Sequence, residues 1–128
     1  MAKRSAAPRL SDIIEAIERV RDALGEMPLD AFEADWRCQR LIERGLEIIP
    51  ESGRRLPAEP KARHPEIPWQ KVAGIGNVLR HDYESVSAPI IWKLVRDDLP
   101  HLEQVCREEL GREAHTGSPP ADKPPSDN

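Results

Sequence analysis

From Leu10 to Leu24 the apolar residues return at steps of three and four: Leu10, Ile13, Ile14, Ile17, Val20 and Leu24. That spacing draws one apolar stripe down an α-helix and makes no coherent face on a strand. Ser11 is placed to cap this helix, and Gly25 stops it. A longer stripe closes the chain: Ile90, Ile91, Leu94, Val95, Leu99, Leu102, Val105, Cys106 and Leu110. It predicts a helix from Ala88 to Leu110, capped by Ser87 and bent at Pro100. Trp92 sits off the centre of that stripe, placed to face a partner.

Two more helices fit between these. Asp30 can cap a short helical piece through Phe32, which would plug one end of a bundle. A helix then follows from about Asp35 to Arg54, with Leu41, Ile42, Leu46, Ile48 and Ile49 on its core face and a kink or a loosened turn at Pro50. Leu56 to Ile67 carries three prolines and reads as an extended loop. Pro68 can open the next helix, where its missing N–H costs nothing. Trp69, Val72, Ile75 (or Ala73), Val78 and Leu79 give that helix its core side. Amphipathic helices joined by short polar breaks make an all-α, antiparallel four-helix bundle. The domain runs from 10 to 110, after a flexible 1–9. The Pro-rich tail, 111–128, has no core residues and reads as disordered.

Composition narrows the classes of function. At 128 residues the chain suits one domain with a modest core. A net charge of −4 gives no overall pull toward nucleic acid, so any RNA site has to be a local basic patch. The most basic element is the second long helix, with Arg37, Arg40, Arg44, Arg54 and Arg55. Such a face is ordinarily solvated. It is also the one place outside the central stretch that offers phosphate contacts, with Arg40 and Arg44 as candidates. Cys38 and Cys106 fall inside helices without metal-ligand spacing and read as free thiols in a reducing compartment. The histidines are not spaced as ligands, so no metal and no cofactor is expected. No apolar run approaches the ~20 residues that span a membrane, and no signal peptide opens the chain. The expected location is the cytoplasm.

Chemistry-bearing groups collect in Ala73-Gly74-Ile75-Gly76-Asn77-Val78-Leu79-Arg80-His81-Asp82-Tyr83. Asn77 and His81 are four apart, one turn on one helix face, and Arg80 lies beside them. Tyr83 joins them only if the helix ends here or a second subunit shapes the site. Gly74 and Gly76 leave room for something to approach. The structural alternative is a helix end with a polar cap.

Ile67-Pro68-Trp69, Ala73-Gly74, Asn77, His81 and Tyr83 together resemble the HepT-like family of the HEPN superfamily. Arg40 to Pro57 and Val86 to Leu102 extend the likeness over most of Leu10 to Leu110. The resemblance implies a small helical toxin, usually a homodimer, acting as a metal-independent ribonuclease. It implies as partner a minimal nucleotidyltransferase antitoxin that adenylylates the motif tyrosine, here Tyr83. The family pattern is Arg-Asn, three residues, His, one residue, Tyr. Asn77, His81 and Tyr83 fall on it, whereas Gly76 stands where the family has Arg.

Metal-free RNA cleavage needs a base for the ribose 2′-OH and a charge for the phosphorane. His81 suits the first role, since its ordinary pKa lies near the working pH. Arginine suits the second. Arg80 could supply that charge from a shifted position, or Arg44 could reach in. Asn77 could orient His81, and Tyr83 could donate a hydrogen bond or pack on a base. The alternative is a HEPN domain without its phosphate clamp, binding RNA, nucleotide or protein without cutting.

Overall fold

The computed structural model describes residues 5–75 and 88–117, with side chains as far as 114. Every regular element among these residues is helical. In chain order they are α1 (Ala7–Leu24), α2 (Leu29–Glu33), α3 (Trp36–Leu46), α4 (Ile48–Arg55), α5 (Ala58–Arg63) and α6 (Trp69–Ala73). After residues 76–87 come α7 (Ala88–Lys93), a π-helical turn (Leu94–Asp98) and α8 (Leu99–Gly117).

Helix α1 is the centre of the packing. It lies against α3, α4 and α8, and its whole predicted stripe is buried, Leu10 through Leu24. It starts earlier than Ser11 predicts. Pro8 falls in its first turn, where a fixed φ is favourable, and the Ser5 hydroxyl accepts the Ala7 N–H at 3.2 Å. Gly25 ends it at φ +56°, a conformation that costs glycine little. Gly45 of α3 marks the tightest approach to α1. A Cβ added there would meet Val20 Cγ1 at 2.5 Å, so only glycine lets the two helices sit this close.

The single helix predicted from Asp35 to Arg54 is two helices that meet at Glu47. Pro50 explains the break. It has no N–H to give the carbonyl of Leu46, and its ring crowds that carbonyl. Asp35 caps α3, its side chain accepting the Cys38 N–H at 3.0 Å; Asp30, expected to cap the piece before it, instead lies within the first turn of α2, which begins at Leu29 after Pro28. Phe32 is fully buried, as its role as a plug requires.

The core of α3 and α4 is narrower than the periodicity suggests. Cys38, Ile42, Leu46 and Ile49 are buried. Leu41 and Ile48, expected beside them, are 65% and 39% exposed, and Ile90 of α7 is 55% exposed. The 56–67 connection is not an extended loop. Pro57 stands just before α5, and Pro60 sits in its first turn, where no intrahelical donor is lost.

Toward the C-terminus, Pro100 again reshapes the backbone. It cannot donate to the Arg96 carbonyl, and the ladder shifts, so that the Leu99 N–H bonds the Leu94 carbonyl in a π turn. Beyond Leu110, where the apolar stripe predicts its end, α8 continues to Gly117. Polar contacts hold the extra turns: the Ser5 hydroxyl donates to Glu113 at 3.0 Å, and Arg112 lies 3.8 Å from Glu109. The Ser87 cap and the remainder of the tail lie outside the described residues. No helix among the described residues is long and apolar enough to cross a membrane.

Candidate functional site

Asn77, Arg80, His81 and Tyr83, with Gly76 and the core positions Val78 and Leu79, lie outside the described residues. The chain on either side of them is described in detail, and both flanks are tied down. On the N-terminal side, Ile67, Val72 and Ile75 are buried in the common core. The Trp69 indole N–H donates to the carbonyls of Lys61 (3.1 Å) and His64 (3.0 Å), locking α6 onto the end of α5. Arg54 reaches across from α4 and donates to the Ala73 carbonyl at 3.1 Å.

On the C-terminal side, Ile91 is buried and Trp92 is half-buried. The Trp92 indole N–H donates to the Met27 carbonyl at 2.9 Å, and the Arg96 guanidinium lies over its ring at 5.1 Å. The expectation that Trp92 faces a partner gives way to this: it fastens α7 to the turn after α1. The segments on either side of the motif are therefore both anchored, one by α4 and α5 and the other by α2 and the α1–α2 turn. An apolar groove of about 340 Å³ opens beside the first anchor. Ile67, Val72, Ile75, Leu94 and Leu102 line it, together with Lys71, Asp97 and His101.

The two arginines proposed for phosphate contact are both on α3 and both exposed. Arg40 pairs with Glu43 at 3.0 Å, a surface contact that water screens. Arg44 has no carboxylate within ion-pair distance among the described residues.

The strongest electrostatics lie elsewhere. Glu109 of α8 is buried, its side chain 3% exposed. Arg63 grips it with both a 2.6 Å and a 3.0 Å contact, and His64 Nε2 lies 2.8 Å from it. The Arg63 hydrogen bonds hold the Glu109 carboxyl below its usual range, against the opposing effect of burial. His64 Nδ1 is 3.4 Å from Glu66, which His101 approaches at 3.7 Å. His64 and His101 are thus parts of a clamp between the 58–67 segment and α8. Glu103, also buried, accepts from Arg21 of α1 and from Arg107, the latter at 2.9 Å. Arg107 in turn pairs with Glu18.

Sequence reading missed both carboxylates, although a signal was there. Glu103 lies four residues past Leu99, and Glu109 lies seven past Leu102 and three past Cys106, all on the buried stripe. An acid in that register has to find a base. The Cys106 thiol is pushed up to about 12 by burial, which leaves it inert at neutral pH. Among the described residues no three His, Cys, Asp or Glu side chains are grouped as metal ligands.

Fold and flanks define a small all-helical domain built around α1, carrying a short polar motif between two anchored helices. The chain belongs to the HepT-like ribonuclease family: residues 13–109, most of its length, match the family described as "Ribonuclease HepT-like". It is 39% identical over 101 residues to the "Probable ribonuclease HepT" of Thermococcus cleftensis, covering 79% of this chain and 92% of that one. It is 32% identical over 106 residues to "Putative RNase TTE0752" of Caldanaerobacter subterraneus subsp. tengcongensis, covering 83% and 95%. It is 28% identical over 120 residues to "Putative RNase MJ0127" of Methanocaldococcus jannaschii, covering 91% and 99%. No solved structure matches the chain.

Proposed function

We propose that this protein is a metal-independent endoribonuclease, the toxin of a toxin–antitoxin pair. One observation carries the reading: the family match spans 13–109 and so contains Asn77, His81 and Tyr83 in the family's spacing. His81 takes the proton from the ribose 2′-OH, and Asn77 fixes the imidazole's orientation. Arg80, one residue before His81, supplies the charge that the family draws from the position held here by Gly76. Arg40 and Arg44 on α3 contact phosphates further along the strand. Two copies form the working unit. A nucleotidyltransferase antitoxin silences the enzyme by adenylylating Tyr83, because an added phosphate beside His81 repels the phosphate of RNA.

Gly76 favours a second reading, in which the domain binds RNA, nucleotide or a protein without cutting. Loss of a charge contact in the transition state costs about 10²–10³ in rate. The experiment is cleavage of a mixed single-stranded RNA by the purified protein in chelator, with intact mass establishing that Tyr83 is unmodified. Wild type is expected to cut, and both His81→Ala and Arg80→Ala to lose cutting. Loss in His81→Ala alone moves the charge to another arginine, with Arg44 tested next. No cutting by the unmodified wild type selects the binding reading.

A further inference from the structure

Helix α3 opens on Trp36, which is 64% exposed although it is one of only three tryptophans in the chain. Trp69 and Trp92 are packed against the core, and both have their indole N–H bonded to a carbonyl. Trp36 has no such partner among the described residues. Burial of an indole is among the larger gains a side chain can make, so folding alone does not account for leaving this one in water. Three arginines lie beside it or further along α3, with Asp35 just before it and Glu43 and Glu47 beyond. The Arg37 guanidinium lies over the ring at 5.7 Å. Arg40 and Arg44 follow at four-residue steps, about 6 Å apart along the helix. Arg37 and Arg44 have no carboxylate within ion-pair distance among the described residues, in a chain whose net charge is −4.

We infer that Trp36 is a stacking platform for one base of single-stranded RNA, with Arg37, Arg40 and Arg44 following the strand's phosphates along α3. This rests on the ribonuclease reading and adds to it a residue that positions substrate. An exposed aromatic beside exposed arginines is the pattern that binds single strands, the ring taking the base and the cations the backbone; Arg40 keeps a screened surface contact with Glu43, which a phosphate would compete with. A second copy fits the face less well. A two-fold interface sets a patch against itself, so the three arginines would meet their own copies. The location suits a substrate path. Trp36 follows directly on α2, and α2 packs against α7, where the chain leaves the motif stretch.

The test uses the full chain with His81→Ala, so that RNA survives, and a labelled mixed-sequence single-stranded RNA. Trp36→Ala is expected to weaken binding about tenfold. Trp36→Phe keeps most of the affinity but abolishes the quenching of tryptophan fluorescence that RNA causes. In the cleaving protein, Trp36→Ala raises KM and leaves kcat near the parent value. Equal affinity and equal quenching in parent and Trp36 variants overturn the platform. So does a Trp36→Ala protein that turns monomeric in light scattering and regains full RNA affinity at higher protein concentration, since the ring then serves a second copy. If RNA is cleaved normally and only the Trp36 effects are missing, the platform alone fails. If the parent neither binds nor cleaves RNA, the ribonuclease reading fails and the platform falls with it.

Discussion

Helices α3 and α8 break the rule of apolar inside and charged outside in opposite directions. On α8, Glu103 and Glu109 point into the protein. On α3, Trp36 and Leu41 point out of it. The two exceptions are not treated alike. Each buried acid is met by bases from other elements, Arg21 for Glu103 and Arg63 with His64 for Glu109. These pairs tie α8 to α1 and to α5, so the exception on α8 is resolved within the fold. Nothing among the described residues covers the outer face of α3. A charge in the interior must be answered within the molecule, because an unpaired buried charge costs several kcal/mol. An exposed ring or leucine has a small cost that folding tolerates, and so it is free to answer something outside.

The comparison can be broken on the α8 side with the largest effect. Glu109→Ala removes the partner of Arg63 and His64 and leaves a gap beside Cys106. A loss of about 3 kcal/mol is expected, read as a lower urea midpoint at unchanged slope. A loss below about 0.5 kcal/mol would mean that Arg63 and His64 lean on Glu109 without depending on it.

A smaller effect comes from acid. Glu103 and Glu109 both have carboxyls held below the ordinary 4.5 in the folded state. The unfolded chain therefore binds more protons in the window below 4.5, so stability is lost as the pH falls through it. Above 4.5 this contribution is fully present and flat. Thermal melts from pH 6 down to pH 3 should fall more steeply for wild type than for Glu109→Gln, which has no proton to take up there. Parallel curves would remove Glu109 from the acid response.

The smallest effect is expected on α3. Leu41→Ser should change stability by no more than about 0.5 kcal/mol, because the side chain is already in water. A marked rise in solubility without a change in melting would confirm that Leu41 is unused surface in the single chain. A large destabilisation at low micromolar concentration that fades on dilution would show that a second copy covers it.

Much of the fold could be read from residue spacing. The stripe of α1, the stop at Gly25, the start of α3 near Asp35 and the plug at Phe32 all stand where periodicity and end signals put them. The misplaced core positions share one cause. Periodicity shows that Leu41, Ile42, Ile48 and Ile49 lie toward one side of a helix, but not how wide a strip its neighbours cover. Here α1 covers only the part centred on Ile42, Leu46 and Ile49. The prolines were legible as disturbances but not in kind: Pro50 divides a helix, Pro100 makes a π turn, and Pro57 and Pro60 start α5 instead of preventing it. For the motif, the sequence supplied the residue types and the family spacing, and the structure adds the anchoring of its two flanks.

Residue order alone therefore determined that this chain is helical, where its main breaks fall, and that Asn77, His81 and Tyr83 stand in the HepT-like spacing. Those properties follow from local geometry and from the identity of near neighbours. Only the tertiary structure decided that Glu109 meets Arg63 and His64, that Arg54 closes the end of α6, and that Trp36 stays in water while Trp92 does not. Each of those outcomes depends on which distant element arrives opposite a side chain, and no local pattern contains that information.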